Sequence, residues 1–157
     1  MGYYGPMDFL PAARLDKTVR DDRAYYTIIW SPLRKADRYD IQKTVPAMAG
    51  LYELYYRDDG NSCHLFHYGR AWLGGLRAVI REFTDPDLMK DRPDIRDILK
   101  ARPCYYRFTV CESREDMEDI LYYFAGFRRK GADTVRVSSG RYGEIRVKQA
   151  KIGRAHV

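Results

Sequence analysis

GLYELYYRDDGNSCHLFHYGRA, residues 50–71, decides the reading of the fold. Leu51 to Tyr56 and Cys63 to Tyr68 are runs of aromatic and aliphatic residues of the kind that fit a pleated surface. Between them Asp58-Asp59-Gly60-Asn61 supplies residues that tolerate the positive φ angles of a tight turn. The stretch predicts a β-hairpin with strands over 50–57 and 62–68.

Downstream, Leu76, Val79, Ile80 and Phe83 fall at i, i+3, i+4 and i+7, which predicts a helix with one buried face, ended by Pro86. A shorter helix is expected over 94–101 and a third strand over 104–110, after Pro103. Ser113-Arg114-Glu115-Asp116 has the form of a capping box, and Met117, Ile120, Leu121 and Phe124 repeat the apolar spacing, so a helix should run to about Arg128. Upstream, Ala24 to Trp30 reads as a strand broken by Ser31-Pro32. Thr134 to Ser138 and Glu144 to Lys148, around Gly140-Arg141-Tyr142-Gly143, suggest a basic terminal hairpin.

With 157 residues, 45% of them hydrophobic, the chain suits one domain, 1–157, with a real core. It lies far from the composition of disorder, and no apolar stretch approaches the roughly 20 residues of a membrane span. Met1-Gly2-Tyr3-Tyr4-Gly5-Pro6 lacks the form of a secretory signal, and three cysteines fit a reducing compartment better than a disulfide framework. A soluble cytoplasmic protein without a membrane partner is expected. The net charge of +6 divides unevenly. Residues 1–45 carry +2, residues 46–127 carry −3 and residues 128–157 carry +7. The basic excess therefore belongs to the C-terminal extension, where it suits either a solvated surface or a phosphate-binding one.

Gly50-Leu51-Tyr52 opening one strand, His67-Tyr68-Gly69-Arg70-Ala71 closing the next, Arg77 eight residues beyond Gly69, and Glu118 on a later capped helix resemble the GIY-YIG endonuclease superfamily. The likeness covers residues 46–127, with 1–45 and 128–157 as N- and C-terminal extensions. It implies an α/β (α+β) fold with a small central three-stranded mixed or antiparallel sheet flanked by helices, in β-β-α-β-α order. It also implies a divalent-metal-dependent nuclease that hydrolyses DNA phosphodiester bonds with Mg²⁺ or Mn²⁺. On that resemblance Tyr52, His67, Arg77 and Glu118 are the catalytic set, with Glu118 as metal ligand. Arg70, Arg81, Arg128, Arg129 and Lys130 are candidates for contact with nucleic acid.

The second-motif Tyr of the family falls on His67, so what the chain resembles is a diverged member. A histidine titrating in the region of 6–7 is a reasonable base for activating water. The alternative is a non-catalytic module that binds nucleic acid or protein on the same fold. Zinc held by Cys63, His64 and His67 with Cys104 or Cys111 is disfavoured, because neighbours on a regular strand face opposite ways. Tyr25-Tyr26, Tyr55-Tyr56 and Tyr105-Tyr106 could stack on bases, although strand propensity and core packing account for most of them.

Overall fold

The computed structural model describes residues 13–126 and 137–149. Along the chain these form β1 (Arg14–Arg20), β2 (Arg23–Ile29), β3 (Arg34–Lys35), α1 (Arg38–Thr44), β4 (Gly50–Arg57), β5 (Cys63–Ala71), α2 (Gly75–Phe83), α3 (Pro93–Ala101), β6 (Cys104–Val110), α4 (Arg114–Ala125) and β7 (Glu144–Gln149). A single 3₁₀ turn, Pro86–Leu88, separates α2 from α3.

The expected hairpin is β4 and β5, antiparallel, with Tyr52 opposite Gly69 and Leu54 opposite His67. β6 pairs antiparallel with the other edge of β4, Glu53 lying opposite Arg107. A three-stranded sheet does not describe the protein, however. Among the described residues the sheet has seven strands in the order β5-β4-β6-β1-β2-β7, with β3 also on β6, and curls into a half-barrel accompanied by four helices. The N-terminal extension supplies β1 and β2, and the C-terminal one supplies β7. β1 joins β6 in parallel only at Arg14 and Val110, and β1 and β2 form a seven-residue antiparallel pair. Six residues of β7 lie parallel to β2, Arg23 opposite Glu144 through Ile28 opposite Gln149. The terminal hairpin is thus replaced, for residues 144–149, by pairing with β2; residues 134–136 of its other arm lie outside the described residues.

Two layers of helix cover the sheet. α1, α2 and α3 send Ile41, Val45, Leu76, Ile80 and Ile95 onto the face that carries Tyr52, Leu54, Tyr106 and Phe108, called here the α2 face. On the opposite, α4 face, Met117, Ile120, Leu121 and Phe124 pack against Leu51, Tyr68, Tyr26 and Ile28. Each such side chain, fully buried, contributes about 1.5–3 kcal/mol. Two glycines are dictated by this packing. A Cβ on Gly50 would collide with the Thr109 carbonyl and with Leu76, and Gly75, at φ 79°, brings the start of α2 against Ala47. Ser113 caps α4 by accepting from the Asp116 amide at 3.2 Å. Among the described residues, no helix is long and apolar enough to cross a membrane.

Candidate functional site

A bulge in the hairpin lies next to His67, the expected site residue of β5 that is in the core. The register shifts between Leu54 and Tyr55, so Tyr55 faces Leu65 and Phe66 is the extra residue. Phe66 and His67 consequently both turn toward the α2 face, and His64 joins them, its ring stacked on Tyr56 at 4.9 Å. Strict alternation had separated His64 from His67; the bulge puts them on one side. Even so, no group of three or more His, Cys, Asp or Glu side chains among the described residues could hold a metal ion.

Tyr52 and His67 meet. The Tyr52 hydroxyl lies 2.8 Å from His67 Nε2 in a buried hydrogen bond, and the His67 ring stacks on Phe83 at 4.2 Å with 21° between planes. His67 is 1% exposed. Burial, with the positive charge of Arg92 adding to it and Asp94 opposing, lowers its pKa to about 4. It is therefore neutral well below the 6–7 expected of a catalytic base, and its Nε2 is already taken by the Tyr52 hydroxyl in a site closed to solvent.

Arg77 and Glu118 do not join this pair. Arg77, on the α2 side, donates from Nε to the Val45 carbonyl at 2.8 Å, which ties α2 to the end of α1. Glu118 lies on α4, across the sheet, with its carboxylate 3.4 Å from Arg70 and 3.9 Å from Arg114. A divalent cation there would face two guanidinium groups, and hard cations need several oxygen ligands. The residues present do not fit Mg²⁺ or Mn²⁺. Arg81 reaches Gln42 at 3.4 Å on the surface. Arg128, Arg129 and Lys130 lie outside the described residues. Cysteine chemistry is also disfavoured, since burial pushes the Cys104 and Cys111 thiols up to about 12 and about 11.

Two polar networks on the α4 face were not foreseen from the sequence. In the first, Arg107 donates to buried Glu53 from Nε at 2.7 Å and from Nη2 at 2.6 Å, and the Tyr55 hydroxyl donates to the same oxygen at 2.6 Å. The Arg107 guanidinium also lies 4.5 Å from the Trp30 ring centre, and Trp30 Nε1 donates to Gln149 at 2.7 Å. An acid and a base mid-strand in two otherwise apolar runs was the available signal. In the second network, Asp116 accepts from Lys17 at 2.8 Å, from Tyr26 at 2.9 Å and from Arg141 at 2.9 Å. Fully buried Asp119 accepts from the Ser139 amide at 2.7 Å and from Arg141 at 2.9 Å. Those bonds pin residues 139–141 to α4 and so deliver the chain to β7. The cap residue Asp116 is spent on this clamp rather than on the reciprocal bond of a capping box.

What remains accessible is the other side of β1, β2 and β7. Helices α1–α3 stop at β6, and most residues of these three strands that alternate away from α4 are exposed, with Thr27, Ile29 and Glu144 half-buried. They form a grid by register. Arg20, Arg23 and Glu144 make one row, Thr18, Tyr25 and Arg146 the next, and Asp16, Thr27 and Lys148 the third, with Arg14 beyond. Ion pairs link Arg14 to Asp16 at 3.2 Å, Arg23 to Glu144 at 3.1 Å and Arg146 to Glu144 at 2.6 Å. Such exposed pairs are weak, screened by solvent, and yield readily to another anion. Arg20 and Lys148 have no carboxylate partner among the described residues.

Neither a curated protein nor a solved structure matches the chain. A family model described as "Uncharacterised protein" matches residues 14–156, almost the whole chain, and the protein belongs to that family.

Proposed function

We propose that this protein binds nucleic acid through the open face of β1, β2 and β7 and does not cut it. The carrying observation is the clustering of cations on the side of these strands that faces away from α4: β2 buries Ala24, Tyr26 and Ile28 on its α4 side, and the other side of the three strands presents Arg14, Arg20, Arg23, Arg146 and Lys148 against Asp16 and Glu144. Clustered cations on one face are the electrostatic footprint of a phosphate-binding surface. Further support comes from what the hydrolytic set lacks. Tyr52 and His67 are sealed under Phe83, while Glu118 is held between arginines on the opposite face.

The test is a mobility-shift assay with labelled DNA and RNA, run alongside a cleavage assay with Mg²⁺, Mn²⁺ or chelator. Binding in the micromolar range at low salt is expected, without cleavage under any of these conditions. A variant with Arg20, Arg23, Arg146 and Lys148 changed to Glu should lose binding while keeping its fold. Metal-dependent cleavage that disappears in Glu118→Gln would favour the nuclease reading instead. Full binding by the charge-reversed variant would remove the open face from the function.

A further inference from the structure

We infer that the open face takes single-stranded nucleic acid in preference to duplex, with the exposed ring of Tyr25 as the platform for one unpaired base and Arg146 and Lys148 as contacts to the phosphates beside it. This rests on the nucleic-acid reading above and specifies its ligand.

Consecutive tyrosines on β2 have opposite fates: Tyr26 is 1% exposed beneath α4, whereas Tyr25 is 36% exposed on the open face. By register Tyr25 occupies the middle of that face, with Thr18 on one side, Arg146 on the other, and Arg23 and Thr27 before and after it along β2. A small polar neighbour on the β1 side leaves the ring uncrowded there. Arg146 and Lys148 alternate along β7, on the same face and about 6–7 Å apart. A strand of nucleic acid lying along β7 would set its phosphates by these two cations and turn a base inward onto Tyr25. Every base has a π face, so such stacking is sequence-tolerant, but only an unpaired, splayed base can offer it.

The same geometry opposes duplex. A two-stranded ribbon can enter a major groove about 12 Å wide. Here β2 is flanked on both sides, and three strands already span about 10 Å between backbone axes before side chains are added. The tip of the β1–β2 hairpin is Asp21-Asp22, both exposed, so a tip-first approach would drive carboxylates between phosphate walls. That tip is also anchored, the Asp22 carbonyl accepting from the Gly143 and Glu144 amides at 2.8 and 3.2 Å.

Fluorescence anisotropy with labelled oligo-dT and oligo-rU of about twenty nucleotides, longer than the site size of one such platform, and with a duplex of the same length, tests this. Single strands should bind at least about fivefold more tightly than duplex, and Tyr25→Ala should lose about fivefold or more on single strands with little change on duplex. Tyr25→Phe, which keeps the ring, should bind like the wild type. Equal affinity for both forms, a Tyr25→Ala variant that binds single strands normally, or a Tyr25→Phe variant as weak as Tyr25→Ala would each overturn the stacking assignment while leaving binding to nucleic acid intact. Absence of binding to every probe at low salt would overturn both.

Discussion

Strands β4 and β6 and strands β1, β2 and β7 belong to one sheet, yet the first two are covered on both faces, β2 on one, and β1 and β7 bury no residue fully. The contrast is clearest in two pairs of the same chemistry. Glu53 with Arg107 crosses from β4 to β6 inside the protein, and Glu144 with Arg23 crosses from β7 to β2 in water. Buried, the pair must satisfy itself, because desolvation of either charge alone is expensive. Exposed, the pair is loosely held and exchangeable. Charged and aromatic residues of the covered region therefore serve the fold, and those of the open region are available to a ligand. The motif residues Tyr52 and His67 belong to the first group.

Substitutions matched across the two regions should separate by size. Glu53→Ala strands Arg107 in the interior and should cost about 3–5 kcal/mol in urea unfolding, whereas Glu144→Ala should cost less than about 1. Comparable losses at both sites would erase the distinction between the regions.

Acid should attack the covered region through His67. Above its ordinary value of 6.5 the imidazole is neutral in folded and unfolded chains alike, and there is no penalty. As pH falls from 6.5 toward about 4 the unfolded chain binds a proton that the folded one refuses, so stability declines across that window. The loss should total about 3 kcal/mol at its lower end. His67→Gln should flatten that segment of a stability-against-pH curve; an unchanged slope would show that His67 is not the group responsible.

The clamp between the two regions comes next. Asp119→Asn weakens the hold on Ser139 and Arg141, and should cost about 1–3 kcal/mol with faster amide exchange in 137–149 than in β4. Uniform acceleration through the whole sheet would mean that β7 is not a separable unit. Smallest of all, Thr18→Ala on the open face should change stability by less than about 0.5 kcal/mol. A larger loss would mean that this face is covered after all.

Local elements were legible where side chains announce burial. The β4–β5 hairpin, α2, α3, β6 and the Ser113 cap of α4 all follow from apolar spacing and turn residues. β1 was not legible: Arg14-Leu15-Asp16-Lys17-Thr18-Val19-Arg20 buries almost nothing, and Lys17, on the α4 side, is a polar residue where alternation calls for an apolar one. α1 went unseen because Ile41 is its only buried residue. Without β1, the links from β6 to β2 and β7 could not be drawn, and the sheet stopped at three strands. The pairing of Tyr52 with His67 could be foreseen from their places on adjacent strands; their seclusion could not, since it depends on the bulge at Phe66 and on Phe83 folding down from α2. The open face was hidden for the same reason as β1, because it is assembled from residues distant in sequence.

The most direct test of the division is a chemical-shift map of backbone amides as a single-stranded oligonucleotide is titrated in, with and without Mg²⁺. The account predicts perturbations concentrated in 14–20, 23–29 and 144–149, unaffected by the metal, with 50–57 and 63–69 unmoved. Shifts centred on Tyr52, His67 and Glu118, or shifts there that appear only when Mg²⁺ is present, would contradict it.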